Sequence, residues 1–360
     1  MTRLRAGGIR DAMRASVFLF VALTGVLAAA EPEPLVKVDT FQLKTERYGA
    51  AAVAAGDYVY VIAGANRNGL VNDIERLDTR THEIQVVTNK VKPRRYHGAV
   101  FMDGKIYIVG GQAANTFNSN AVEVESTGRG TLRGVTTNTS RESAEDVLRS
   151  PLEEASFEQT LEIYDVETGQ ITFGAPPPTP RISAAVAGLG GKLFFIGGVR
   201  LAGHAAAQTN LAEVYEVEDN RWSAGPLMPT PREASAVIVN DFVMVPGGSL
   251  HGSSVAKVEF FIPAQSAWMS LPDLAKPMGA GSVAFLGSHI FMFGNFGAES
   301  QVLAYDLRTR KSQLIKPGFK PARHTAAVVS GGRIYVIGGN VNPEGESLTD
   351  IQVFAPPEPK

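Results

Sequence analysis

One nineteen-residue unit occurs twice in this chain, and its repetition limits what the chain can fold into. The first copy, residues 93–111, reads PRRYHGAVFMDGKIYIVGG, and the second, residues 321–339, reads PARHTAAVVSGGRIYVIGG. Both copies contain a proline and an arginine, a strand of small residues, a turn centred on glycine, an Ile-Tyr strand and a final Gly-Gly pair. Such internal repetition predicts a fold in which one supersecondary unit packs against the next.

Four further copies are found when the chain is aligned on this unit. An arginine precedes the first strand in five copies, and Met278 takes its place in the sixth; the arginines are Arg47, Arg95, Arg181, Arg232 and Arg323. The second strand ends at Ala63-Gly64, Gly110-Gly111, Gly197-Gly198, Gly247-Gly248, Gly294-Asn295 and Gly338-Gly339. A third strand ends at Leu77, Tyr164, Tyr215, Phe261, Tyr305 and Phe354, and a fourth is centred seven residues later in most copies. Each unit therefore predicts four short strands, which we label A to D.

This pattern resembles the kelch repeat. The resemblance rests on the arginine, the Gly-Gly pair after strands such as IYVIGG, the Tyr164-Asp165 and Tyr305-Asp306 pairs, and a tryptophan in some fourth strands. It extends over nearly all of the chain after residue 30. Kelch units are the blades of a β-propeller, so the resemblance implies an all-β fold with six blades.

The last unit lacks room for a fourth strand, because only six residues follow Phe354. At the other end of the chain, residues 35–43 (LVKVDTFQL) show a strand-like alternation that belongs to no unit of its own. We therefore predict that this N-terminal strand completes the C-terminal blade and closes the ring, which removes an unpaired sheet edge.

The beginning of the chain stands outside the repeat. Four arginines, the last of them Arg14, precede an apolar run over residues 15–30 that ends in three alanines. This arrangement predicts a signal peptide, residues 1–30, and hence an exported protein that is periplasmic or secreted. A transmembrane anchor is the alternative, but the apolar run is shorter than the roughly 20 residues that a span requires. Residues 31–360 would then form the propeller, with no stable membrane insertion after cleavage.

The composition excludes several kinds of site. A net charge of −2 provides no overall field that would attract nucleic acid. The chain has no cysteine, which excludes disulfides, thiolate metal ligands and cysteine nucleophiles. It also excludes the crosslinked tyrosine and cysteine of the kelch copper oxidases that resemble galactose oxidase. The six histidines form no HxH or HExxH motif. We therefore expect no cofactor, no metal and no nucleic-acid partner.

One unit carries a long insertion. The interval from the Gly-Gly pair to the end of strand C is 10 to 17 residues in five units and 53 residues in blade two. The insertion, residues 112–156, falls in the B–C connection, and insertions of this length are usually either functional or disordered. An alternative alignment makes residues 122–124 strand C of this blade. We prefer residues 161–164, because they keep the seven-residue spacing to Ile171.

The recurring arginines have two interpretations, of which the first is an anion funnel around the channel mouth. The second is structural, because four units have an acidic residue two places before the end of strand C, at Glu75, Glu162, Glu213 and Glu259. An arginine on strand A would reach this glutamate across strand B, over two strand spacings of about 4.8 Å each, where the Gly-Gly pair leaves space. The unit with Met278 also has Leu303 at the acidic position and Asn295 at the second glycine. Because the three features disappear together, we predict a structural role for Arg47, Arg95, Arg181, Arg232 and Arg323.

The D–A and B–C connections are expected to share one face of the propeller, where the insertion would also lie. Residues on that face without a role in the repeat are our candidate ligand-binding residues: Tyr48, Arg67, Tyr96, His97, Arg200, Glu233, His251 and His324. Their histidines, arginines and aromatic rings suit a polar or acidic ligand such as a sugar. We predict a binding protein that recognises a protein or a glycan through this face.

An enzyme is the alternative hypothesis. In size, export and blade number the chain resembles the periplasmic kelch sialic-acid epimerases, which are mutarotases. That resemblance implies an acid or base near the anomeric carbon and an arginine for the carboxylate, and Glu233 with Arg200 or Arg232 would supply them. Resemblance at the level of the fold is weak evidence of function, so we favour binding.

Overall fold

Six four-stranded antiparallel sheets form the blades of a β-propeller, as the repeat predicts. The computed structural model describes residues 35–113, 157–202, 205–279, 281–341 and 346–357. The predicted signal peptide and residues 114–156 of the predicted insertion lie outside the described residues.

In the first three blades, strands A to D follow one another outward from the channel. Blade one contains β2 (Ala51–Ala55), β3 (Tyr58–Ile62), β6 (Ile74–Asp78) and β7 (Ile84–Thr88). Blade two contains β8 (Gly98–Met102), β9 (Lys105–Val109), β10 (Leu161–Asp165) and β11 (Ile171–Gly174). Blade three contains β12 (Ala185–Leu189), β13 (Lys192–Ile196), β16 (Ala212–Glu216) and β17 (Arg221–Ala224).

The last three blades repeat this order, with one exchange at the end. Blade four contains β18 (Val237–Val239), β19 (Phe242–Pro246), β22 (Val258–Ile262) and β23 (Ala267–Leu271). Blade five contains β24 (Ser282–Leu286), β25 (His289–Phe293), β26 (Val302–Asp306) and β27 (Lys311–Ile315). Blade six contains β28 (Ala326–Ser330), β29 (Arg333–Ile337), β30 (Asp350–Ala355) and, as its outer strand, β1 (Val36–Gln42).

Short hairpins extend the B–C connections of three blades. They are β4 (Ala65–Asn66) with β5 (Gly69–Leu70), β14 (Val199–Ala202) with β15 (Ala205–Gln208), and β20 (Ser249–Leu250) with β21 (Ser253–Ser254). The described residues contain one helical segment, a 3₁₀ turn over Pro263–Gln265. No helix among them has the length and apolar character needed to cross a bilayer.

The N-terminal strand closes the ring. β1 pairs antiparallel with β30, from Val36 opposite Ala355 to Gln42 opposite Asp350. The predicted closure of blade six by the other end of the chain is therefore confirmed.

The A strands lie side by side around the channel, and backbone hydrogen bonds join them at the mouth. β2 contacts β8, and the contacts continue through β12, β18, β24 and β28 back to β2. The backbone N–H of Gly49 donates to the carbonyl of His324 at 2.9 Å, that of Tyr96 to Gly49 at 2.8 Å, and that of Ser183 to Tyr96 at 2.9 Å. The residues that begin the A strands are thus held from one blade to the next.

The hydrophobic core is divided among the interfaces between neighbouring blades. Val59 of blade one shares an apolar cluster with Tyr335 of blade six, and Tyr60 shares one with Ile106 of blade two. Each remaining interface has its own cluster of buried residues. This explains why the B strands are almost wholly apolar, since both of their faces pack against other blades.

Strand C of blade two is β10, which pairs with β9 and places Tyr164 opposite Ile106. This confirms the assignment of residues 161–164, and the alternative at residues 122–124 lies outside the described residues. The two ends of the inserted segment are held together, because Gln112 pairs with Phe157 and the N–H of Glu158 donates to the carbonyl of Gly111 at 2.8 Å.

Candidate ligand-binding site at the channel mouth

The D–A and B–C connections meet on one face of the propeller. Tyr48 pairs with Ala65 at this face, and Glu233 pairs with Ser249. Equivalent bridges join Arg95 to Gln112, Ile182 to Val199, and Arg323 to Asn340. The start of each of these A strands is therefore fixed to the loop that leaves strand B of the same blade.

Inside the blades, four buried arginines each pair with a glutamate of the same blade. Arg47 Nη2 lies 2.5 Å from Glu75 Oε1, and Arg181 Nη2 lies 2.9 Å from Glu213 Oε2. The other two pairs join Arg232 to Glu259 at 2.5 Å and Arg94 to Glu162. All four arginines are fully buried.

Each arginine also binds the carbonyl groups at the end of strand B. Arg47 Nη1 donates to Ala63 O at 3.0 Å, and Arg232 Nε donates to Gly247 O at 2.7 Å. Burial lowers the pKa of Arg181 to about 10, so its guanidinium remains charged at pH 7. These arginines fasten strand A to strands B and C inside one blade, and their geometry is that of structural groups.

The structure corrects the alignment in blade two. The paired residue there is Arg94, whereas the sequence alignment placed Arg95 in this role. Arg95 lies one residue farther along, where Nε donates to Gln112 Oε1 at 3.0 Å and Nη1 donates to the hydroxyl of Tyr48. Adjacent residues of an extended chain point in opposite directions, so a shift of one residue moves a side chain from the blade interior to the mouth.

The same correction applies to blade six. Arg323 bridges to Asn340, as Arg95 bridges to Gln112, so the position of the paired arginine is held by Ala322. The acidic position is held by Gln352, which lies opposite Val336. Blade five was expected to be the one blade without the arginine, and that expectation is wrong, because Ala322 holds the position of the paired arginine in blade six.

Blade six also shows that the Gly-Gly pair is required even where no arginine crosses strand B. Gly338 and Gly339 are retained although no arginine crosses them, and both have positive φ angles, 60° and 97°. A Cβ atom on Gly338 would lie 2.4 Å from the carbonyl oxygen of Arg47 in the next blade. The glycines are therefore required by their backbone conformation and by the close approach of the next blade.

A cavity of about 150 Å³ lies at the channel mouth. Residues that directly precede the A strands form much of its lining, one or two from each blade: Gly49, Ala50, Tyr96, His97, Ser183, Ala184, Ala234, Ser235, Gly281, His324 and Thr325. Tyr96, Ser183 and His324 have φ angles of 55°, 51° and 53°. This left-handed conformation is uncommon outside glycine, and the backbone bonds between blades hold it in place.

One side of the cavity is an aromatic wall, which we define as Tyr96, His324 and Phe296. The rings of Tyr96 and His324 meet edge to face with centroids 5.2 Å apart, and those of Phe296 and His324 meet at 5.9 Å. The opposite side, from blades three and four, carries Ser183, Ser235 and other small or polar residues. The cavity therefore combines this aromatic wall with polar groups of blades three and four, and its lining also includes the apolar side chains of Val283 and Met292.

Both histidines of the cavity are neutral at pH 7. Burial lowers the pKa of His97 to about 3, and the nearby guanidinium of Arg94 acts in the same direction. Close packing around the imidazole lowers the pKa of His324 to about 3 as well, with Arg323 as a second cause, although the residue as a whole keeps intermediate exposure.

Glu233 is the charged group of the cavity lining among the residues that the structure describes. Its Oε1 atom accepts a hydrogen bond from Gln208 Nε2 at 3.0 Å. Gln208 belongs to β15 of blade three, and its Oε1 atom accepts the backbone N–H of His251 at 2.8 Å. The carboxylate is thus oriented by a hairpin from the neighbouring blade.

Comparison with known proteins agrees with this architecture. The kelch motif family model matches residues 46–83, 93–124 and 321–357. Kelch-like protein terF of Aspergillus terreus is 28% identical over 53% of this chain and 44% of its own length. Beta-scruin of Limulus polyphemus is 24% identical over 73% of this chain and 27% of its own. Kelch-like protein 25 of Rattus norvegicus is 25% identical over 92% of this chain and 53% of its own.

Six blades with matching repeats decide the family. The chain is a kelch-repeat β-propeller protein. It spans about half, or less, of the length of these curated relatives.

In this kelch propeller, the predicted ligand residues divide into two groups. Tyr96, His97, Glu233 and His324 line the cavity. Tyr48 lies behind it, buried, with its hydroxyl bonded to Arg95.

The remaining predicted residues lie on the small hairpins. Arg67 is at the tip of β4–β5 with its side chain 76% exposed, 3.5 Å from Glu46. His251 is exposed in the turn of β20–β21, and Arg200 lies on β14 outside the cavity lining. The epimerase hypothesis pairs Glu233 with Arg200 or Arg232, and neither arginine is part of the lining. Arg232 is buried inside blade four against Glu259.

Sequence reasoning missed several residues of the site. Ser235 and Ser249 line the cavity, and Gln208 orients Glu233. Asn295 holds the backbone of Phe296, with Oδ1 accepting its N–H at 3.0 Å. A signal for the register error was present, since proline directly precedes the paired position in blades two to six.

Proposed function

We propose that this protein is an exported binding propeller that recognises a protein or a glycan at the channel mouth. The kelch propeller is typically an interaction scaffold, and the observation that supports recognition here is the mouth cavity. Its aromatic wall, oriented carboxylate and serine hydroxyls serve no repeat-wide purpose. A concave site with an apolar wall and a few oriented polar groups is the usual form of a binding pocket.

Recognition is favoured over catalysis by the state of the ionisable groups. A general acid or base works best with a pKa near the working pH. Burial holds the pKa of His97 and of His324 at about 3, so neither imidazole gains a proton near neutrality. Glu233 accepts a hydrogen bond from Gln208, which suits a fixed recognition group.

Export rests on the sequence of residues 1–30, with its basic beginning and apolar run. The test is fractionation of a bacterial host that expresses the full chain, with mass determination of the exported form. We expect a product that begins near residue 31 outside the cytoplasm. Replacing the apolar run with polar residues should retain the protein inside, and export of that variant would contradict the proposal.

Binding at the mouth is tested by screening the purified protein against glycan and peptide arrays. Any ligand found is then titrated against Phe296→Ala, which alters the aromatic wall, and against the matched control Lys192→Ala. Lys192 lies at the A–B turn of blade three on the opposite face, where it pairs with Glu216 at 3.2 Å. We expect at least tenfold weaker binding by Phe296→Ala and no change in the control. The reverse result would place recognition on the other face.

A further inference from the structure

The size of the mouth cavity limits what enters it. Its volume is about 150 Å³. An engineered protein cavity of about this volume binds one molecule of benzene. The mouth cavity is therefore matched to a single six-membered ring, and substituents of that ring can project outward through the mouth.

The two walls define the chemistry of such a ring. Phe296, Tyr96 and His324 offer apolar surface on one side, and Glu233, Ser183 and Ser235 offer polar groups on the other. A carboxylate accepts hydrogen bonds only, whereas a serine hydroxyl both donates and accepts. A pyranose sugar has matching sides, since its C–H groups form an apolar face and its hydroxyl groups lie around its edge.

Charges of both signs lie around the cavity, so a charged ligand of either sign meets a group that repels it. An anion would be repelled by Glu233 in the lining. A cation would approach the guanidinium groups of Arg95 and Arg323, which lie over the rings of Tyr96 at 4.9 Å and Phe296 at 5.9 Å. A neutral ligand avoids both repulsions.

We infer that the mouth cavity takes one uncharged pyranose ring. Hydroxyl groups of the sugar donate to the Glu233 carboxylate, and the C–H face packs against Phe296. Because Gln208 already holds the carboxylate, little ordering is needed when the sugar arrives. This inference rests on the proposed function, since it names the ligand class of the same site. The ring is either a free monosaccharide or the terminal residue of a glycan.

The first test is a titration of the purified protein with neutral methyl pyranosides of the gluco, galacto, manno and N-acetylglucosamine series, followed by ligand-observed NMR. We expect at least one to bind with a Kd in the millimolar range or below. The uronic acid and the amino sugar of the same ring configuration should bind at least tenfold more weakly. The inference is overturned if no neutral pyranoside binds, or if a charged analogue binds more tightly than its neutral parent.

Variants locate the site of binding. Glu233→Gln keeps the shape of the side chain and should weaken the best pyranoside at least tenfold, as should Phe296→Ala. Lys192→Ala should leave the Kd unchanged. Melting temperatures of all three variants check that they are folded, and Glu233→Gln keeps the test decisive if Phe296→Ala does not fold. Unchanged sugar binding in a folded Glu233→Gln variant contradicts the inference.

A trisaccharide that ends in the best sugar separates the two sources. Binding equal to or tighter than that of the methyl pyranoside indicates a glycan terminus, and at least tenfold weaker binding indicates a free monosaccharide; either result agrees with a pyranose site. A peptide ligand that depends on Phe296, in the absence of pyranoside binding, refutes the sugar and leaves the proposed function standing. Ligands that depend only on Lys192 refute both.

Discussion

Blades three and five fasten the same strands by different chemistry. In blade three, Arg181 is buried between strands A and C with its Nη2 atom 2.9 Å from Glu213. In blade five, the corresponding positions hold Met278 and Leu303, and both are buried in the apolar cluster between blades four and five. Replacing a buried ion pair with apolar residues of similar volume is often neutral or stabilising. The fold therefore needs a filled space at this place, and the ion pair is one way to fill it.

Blade five has no arginine to bind the D–A connection to the end of strand B. Asn295 makes hydrogen bonds that join these two segments instead. Its Oδ1 atom accepts hydrogen bonds from the N–H of Gly279 at 2.9 Å and from the hydroxyl of Ser254 at 2.7 Å. Its Nδ2 atom donates to Pro277 O at 3.1 Å and to Gln301 Oε1 at 3.0 Å. One amide thus ties the D–A connection to the end of strand B, as the arginine does elsewhere.

Blade six binds its D–A connection in a third way. Gln352 Oε1 accepts the N–H of Lys320 at 2.7 Å, and its Nε2 donates to the carbonyl of Lys320 at 3.2 Å. Glu75 binds the D–A connection similarly, by accepting the N–H of Lys44 at 2.7 Å. Holding this connector is the role that the acidic position keeps even where the arginine is absent.

The largest expected effect comes from breaking one pair. Arg181→Met leaves Glu213 buried without its cation, and we expect a loss of about 3–5 kcal/mol in the free energy of unfolding, measured by urea denaturation. Adding Glu213→Leu recreates the apolar arrangement of blade five and should recover most of this loss. The double-mutant cycle should give a coupling of at least about 1 kcal/mol. Additive effects would mean that the two blades are not equivalent.

A smaller effect is expected from removing the amide of blade five. Asn295→Gly restores the glycine of the other blades but leaves several partly buried donors and acceptors without their partner, so it should cost about 2–3 kcal/mol in urea denaturation. Gln301→Ala is the matched control, because it removes only one of these bonds and should cost about 1 kcal/mol or less. Equal effects of the two changes would show that Asn295 does not replace the ion pair.

The smallest expected effect is on the pH dependence of stability, which we expect His97 to influence and the Arg181–Glu213 pair not to influence. Burial lowers the pKa of His97 from its ordinary value of 6.5 to about 3 in the folded protein, so the unfolded chain binds the additional proton and stability falls as the pH drops from 6.5 towards 3. At pH 5 this amounts to about 2 kcal/mol for His97. A His97→Asn variant should show a shallower loss of stability between pH 7 and pH 5.

The control for this prediction is the Arg181→Met, Glu213→Leu variant, whose pH dependence should match that of the original protein over the same range. Urea denaturation at each pH measures both. If His97→Asn keeps the original pH dependence, the acid sensitivity has another source than His97.

Most of the architecture was determined by the sequence alone. The number of blades, the order of the strands and the closure by residues 35–43 all follow from short, local patterns of apolar residues and glycine turns. Most strands pair with a neighbour along the chain through a short turn, and the exceptions are the long B–C connection of blade two and the outer strand of blade six, which comes from the other end of the chain. The sequence predicted β10 in spite of the long insertion, because Tyr164 keeps its seven-residue spacing to Ile171.

Only the tertiary structure decided which side chains meet at the channel mouth. The sequence shows that arginines recur, but Arg94 and Arg95 are adjacent, and a single residue of register separates a buried pair from a position at the mouth. It also could not separate Glu233, which lines the cavity, from Arg200, which lies on a hairpin outside the lining. Whether a loop residue lines the cavity depends on where its loop lies relative to the neighbouring blade. Contacts between blades fix that position.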